Sequence, residues 1–175
     1  MLTMFTQIDK VMEKTNDHPV SDYLVWKKPD NAAHIIWNYM QLELFRLIET
    51  EGAGVVLQAA AILAVAPYVC FDMSKNGQFY VKQKEFQKLL QKAADFFAKN
   101  HEMIPEQVQK LQEGFYRERV KPFEENRWED YFDILTCKSV LFQEKRNTDV
   151  TGNLEIIYVP AHQNFRDALA AVFVS

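Results

Sequence analysis

The search for chemistry starts with four histidines, His18, His34, His101 and His162. No two stand three or four positions apart, so no helix turn offers a metal two adjacent imidazoles. Neither H-E-x-x-H nor E-x-x-H occurs, which removes the simplest zincin and di-iron readings. Each histidine alone reads as a surface or structural residue before it reads as a catalyst. Cys70 and Cys137 lie 67 positions apart and form no C-x-x-C pair, so neither a zinc knuckle nor a redox motif is in view. Cys70 sits in an apolar run, where a thiol acts as a small hydrophobe. With only five glycines there is no G-x-x-x-x-G-K-[ST], G-x-G-x-x-G or G-x-S-x-G, and phosphate cradles and nucleophile elbows lose their backbone. The expectation is therefore no bound metal and no cofactor.

Three charged groupings remain. Asp133, then an apolar run, then Gln143-Glu144-Lys145 is a degenerate form of the acid and acid-x-Lys arrangement of metal-dependent nucleases. In that arrangement carboxylates on two strands hold Mg²⁺ and the lysine positions water. Here Gln143 occupies the acid slot two residues before Lys145, and Asp133 would have to lie on a strand. A nuclease using Asp133, Glu144 and Lys145 is kept as the alternative function. Lys84, Lys88 and Lys92 recur every fourth residue, and residues 75–99 carry six lysines against two acids. Such a stripe can face phosphates, but in an acidic chain it reads as a solvated helix face, so nucleic acid is not the favoured partner. The third grouping is Glu124-Glu125-Asn126-Arg127-Trp128-Glu129-Asp130-Tyr131-Phe132-Asp133, with five acids, one base and three aromatics in ten residues. At helical spacing Glu125, Glu129 and Asp133 share one side, while Trp128, Tyr131, Phe132 and Leu135 share another. Aromatic anchors beside steering carboxylates suit a protein partner with a basic surface. The plainer reading turns the aromatics to the core and the acids to water. The candidate contact residues are Glu124, Glu125, Trp128, Glu129, Asp130, Tyr131 and Asp133.

These residues need elements to position them. The chain has 175 residues, 48% apolar and 25% charged, with net charge -4. That composition excludes a disordered chain and a disulfide-stapled mini-protein, and the length suits one domain over 1–175. Leu2, Phe5, Ile8 and Met12 predict a helix near residues 2–15. The start of the chain does not read as a secretory signal, because Asp9 and Lys10 interrupt it after a few apolar positions. Asp30 or Asn31 caps a helix from Ala32 to Glu49. Ala53 to Phe71 is 19 residues without a charge, long enough to cross a bilayer. Six alanines, Gln58, Pro67 and acidic flanks argue instead for a buried helix inside a bundle. A membrane anchor there is the third functional alternative.

Ser74-Lys75-Asn76-Gly77 marks a turn, either of a hairpin or between helices. Phe86, Leu89, Leu90, Ala93, Phe96 and Phe97 give a clean amphipathic helix over 82–99. Pro105 opens another helix, and a further stripe starts at Trp128. Ser139-Val140-Leu141-Phe142 can extend that helix or form a strand; Leu154–Val159 is the best strand, and Thr136–Gln143 could pair with it as a hairpin. Asn164 with Asp167 suggests a capping box for a last helix. The fold expected is a mainly α bundle of about five to seven helices with a minor β hairpin near the C-terminus. The function expected is a non-enzymatic cytoplasmic binding module, an inhibitor or adaptor, whose oligomeric state the sequence leaves open.

Overall fold

The computed structural model describes residues 20–51, 54–125 and 127–174, with Lys10 and Glu13. The helix expected over 2–15 falls outside them except for those two residues, both helical. Six helices are described, with a three-stranded antiparallel sheet. The mainly α fold with a small C-terminal β element is thus as the periodicities predict.

Helix α1 spans Ala32–Glu51. Asn31 caps it, its side-chain oxygen accepting from the His34 amide at 2.9 Å. The charge-free segment forms α2, Val55–Lys75, which touches each of the other five helices. Of its most apolar stretch, 89% is buried inside the fold. The low bulk of Ala59, Ala60, Ala61, Ala64 and Ala66, each at most 1% exposed, lets the neighbours close in from all sides. A helix so enclosed offers no side to lipid in this fold.

Two features shape α2. Its N-terminus follows Gly54, whose φ of 69° is the left-handed conformation glycine adopts without strain. In mid-course, Ala61–Val65 widens into a π turn, with the Ala66 amide bonding back to the Ala61 carbonyl. Pro67 follows at once. Its ring has no N–H to give and would crowd the carbonyl four residues back, and the wide turn relieves both problems.

Gly77 ends α2 in a tight turn, with its amide donating to Ser74 O at 3.1 Å. Phe71 and Met73 are helical, so the turn joins helices and closes no hairpin. Strand β1 is only Val81–Lys82 and leads directly into α3, Gln83–Lys99. Glu85 accepts from the Lys82 amide at 3.2 Å at the start of α3. Helix α4 spans Glu106–Gly114. It stops where Gly114 admits Tyr23, because a Cβ there would stand 1.9 Å from the Tyr23 hydroxyl. Helix α5 is Trp128–Asp133, continued by a second π turn over Ile134–Lys138.

That continuation moves the hairpin. Residues 134–138 stay helical, and the strand pairing with β3 (Leu154–Pro160) is β2, Phe142–Thr148, with register Phe142↔Pro160 to Thr148↔Leu154. The sheet order is β1-β3-β2. The last helix, α6, begins at Gln163, one residue before Asn164. Asn164 is therefore inside it, and Asp167 pairs with Arg166 at 2.7 Å in place of a capping box.

Candidate functional site: the acidic face of α5

The segment before α5 is anchored from below. Tyr131 is wholly buried, and its hydroxyl donates to the Pro122 carbonyl. Burial pushes its phenol well above the usual range, so it stays a neutral donor. Phe123 is also buried, its ring 6.3 Å from that of Tyr131. Phe132 lies against Phe86, 5.9 Å between centroids, and against Tyr158, 5.4 Å. These anchors take the aromatic side of the stripe inward, as the plainer reading of the spacing has it. Tyr131 is thus corrected from a surface contact to a core residue.

The acids turn outward. Glu124, Glu125, Glu129 and Asp130 are exposed. Trp128 is half-buried, packed on the core at one edge. It is the one aromatic of the candidate set still within reach of a partner. Local bases answer several of the carboxylates. Lys121 Nζ lies 2.7 Å from Glu124 Oε2. Arg127 stands between two acids, with Nη2 2.6 Å from Glu125 and Nη1 3.4 Å from Asp130. Asp133 is 3.3 Å from Lys138 across the π turn. Glu129 has no ion-pair partner among the described residues. The face remains negative, since five acids meet three bases, and Arg127 fixes the orientation of two of them.

The other groupings separate. Asp133 ends a helix, while Glu144 and Lys145 lie on β2. As neighbours on a strand those two point to opposite faces. Glu144 meets Tyr158, whose hydroxyl donates at 3.4 Å, and burial with Glu144 beside it raises the Tyr158 phenol. Lys145 lines a small hollow with Phe79, Val159 and Arg166. Among the described residues, no three His, Cys, Asp or Glu side chains gather closely enough to hold a metal. His34 lies in α1, His101 in the short turn before α4 and His162 in the bend before α6, so the three stand apart, and His18 falls outside the described residues. Lys84, Lys88 and Lys92 form an exposed face of α3, and Lys92 pairs with Asp72 of α2. Among the described residues no ion pair links Lys84, Lys88 or Lys92 to the acids of 124–133.

Sequence reasoning did not foresee an apolar groove of about 730 Å³, floored by Leu63 and Ala64 of the π turn and by Pro67 after it, and walled by Trp37, Ile104 and Phe173. Its charged lining residues are Lys27, Glu102 and Glu106. Lys27 lies over the Trp37 ring, 4.6 Å from its centroid. The α2 pattern could have hinted at the π turn through Pro67, but no local signal marks a groove assembled from five helices and the loops beside them. Comparison of the chain with family models, with curated proteins and with solved structures found no match.

Proposed function

We propose that this protein is a binding module of the inhibitor or adaptor type, and that it contacts a basic surface of another protein through the acidic face of α5. The observation that supports this most is the exposure of Glu124, Glu125, Glu129 and Asp130 around a half-buried Trp128, on a segment held rigid by buried Tyr131 and Phe123. Rigid anchoring lowers the ordering cost of association. The carboxylates supply steering and the indole supplies apolar contact.

The test is a pull-down from native lysate at physiological salt, comparing the wild type with the double variant Glu125→Lys/Glu129→Lys and with Glu113→Lys, a reversal on exposed α4 surface. A stoichiometric protein retained by wild type and Glu113→Lys, and lost by the double variant, supports the reading. Its affinity should also fall as salt rises. The double variant should melt within a few degrees of wild type, because exposed pairs contribute only ~0–1 kcal/mol each. Equal retention by all three proteins sinks the acidic-face assignment.

A further inference from the structure

Strand β2 is an edge of the sheet, and every residue from Gln143 to Thr148 is exposed. The direction of its backbone follows from its two ends. The Asp149 amide donates to Asn153 O at 2.9 Å, closing the hairpin, and the Ala161 amide donates to Leu141 O at 2.9 Å beyond the other end. Bonded and unbonded pairs alternate along an antiparallel ladder. In the observed register, Gln143, Lys145 and Asn147 therefore exchange bonds with β3. Phe142, Glu144, Arg146 and Thr148 turn their amides and carbonyls outward. Pro160 agrees: it faces Phe142 and has no N–H to give. No strand meets this edge among the described residues.

Edge strands commonly carry charge as a guard against pairing. Here the charges alternate in sign on the residues whose backbone is free. Glu144 and Arg146 share one face of the strand and have no ion-pair partner among the described residues. We propose that β2 is a self-association edge, where two copies of the chain pair β2 with β2, antiparallel, about a two-fold axis through Lys145. The product is a continuous six-stranded sheet, β1-β3-β2-β2-β3-β1.

A two-fold axis must set one residue opposite itself. Centring on Glu144 opposes two carboxylates, and centring on Arg146 opposes two guanidiniums. Centring on Gln143 or Asn147 leaves both charges facing uncharged residues. Centring on Lys145 places Glu144 opposite the Arg146 of the second copy, twice over. In that register the outward amides and carbonyls of Glu144 and Arg146 meet as bonded pairs, as do those of Phe142 and Thr148. Lys145 falls at an unbonded position on the other face, beside the hollow near Phe79 and Arg166. Its flexible stem lets the two ammonium groups diverge into water. This surface is separate from the acidic face of α5, and the proposal stands without that one.

Sedimentation equilibrium over a wide concentration range tests it. Wild type should show a concentration-dependent dimer. Glu144→Arg and Arg146→Glu should each weaken it by about tenfold or more, since each replaces two attractive cross-strand pairs with two repulsive ones. Mixing the two single variants in equal amounts should restore dimer, because every arginine then faces a glutamate. Arg146→Pro removes an outward amide that β3 does not use, so its thermal unfolding should stay cooperative while association is lost. Wild type that remains monomeric at every concentration overturns the proposal, and this includes the case where the edge serves a strand of some other protein. A dimer that ignores the charge changes, or that mixing fails to rescue, overturns it equally.

Discussion

At the scale of single residues, burial decides which side chains can react. Cys70 lies on α2 with no exposure, and burial pushes its thiol far above the ordinary range. Cys137 is exposed in the π turn after α5. A maleimide should therefore modify one thiol in the native protein and two in denaturant, with Cys137→Ser abolishing the native reaction. Intact-mass spectrometry reads the count, and two rapid native additions would contradict the burial of Cys70. The same principle separates the candidate contact residues. Trp128 and Tyr131 are three apart and share a helical stripe, yet one is half-exposed and the other sealed beneath Pro122. Spacing assigned them to one side. Only the course of the chain before α5 decides which of them the protein covers.

At the scale of elements, α2 depends on a residue far away in sequence. Glu118 accepts from the Val55 and Val56 amides, both at 3.2 Å, so a carboxylate occupies the positive end of the core helix. Gly54 offers no side chain to do this. Glu118→Ala should lower stability by about 1–2 kcal/mol, the usual cost of a lost N-terminal cap. Urea unfolding measures it, and a change within error would show that water replaces the carboxylate. This cap was illegible in the sequence because it joins positions 63 apart. The amphipathic helix over 82–99 was legible because its own period encodes its inner face, Phe86, Leu90, Ala93 and Phe97 all being buried. Strand β2 lies at the other extreme. Gln143 to Asn147 shows no apolar alternation, and its extended form comes from pairing with β3 and from the turn at Asp149. That carboxylate accepts from the Thr151 and Asn153 amides, both at 2.8 Å. The expected partner strand, 136–143, rested on the apolar Val140-Leu141-Phe142, most of which precedes the true strand.

At the scale of the whole molecule, two aromatic assemblies join the parts. Phe86 of α3 touches Phe132 of α5, Phe142 of β2 and Tyr158 of β3, with centroid separations of 5.0–5.9 Å. Tyr68, Phe96, Phe97 and Phe173 tie α2 and α3 to α6. Phe86→Ala should cost about 3–5 kcal/mol, in the range for a large aromatic removed from a filled core. Because Phe86 links the sheet to the helices, hydrogen exchange in β2 and β3 should accelerate together with that of α5. Loss confined to α3 would mean that the sheet is held elsewhere. The π turn in α2 has a consequence for ancestry. It stores one residue more than a uniform α-helix of that rise would use. Deleting one of Ala61–Ala64 would return the segment to uniform α-helix and leave Tyr68, Val69 and Asp72 beside their neighbours, at the expense of the room the wide turn gives Pro67. Among descendants of this gene a one-residue gap between Gln58 and Pro67 should therefore accompany loss of the proline, while the hairpin tip at Asp149–Asn153 is free to lengthen or shrink.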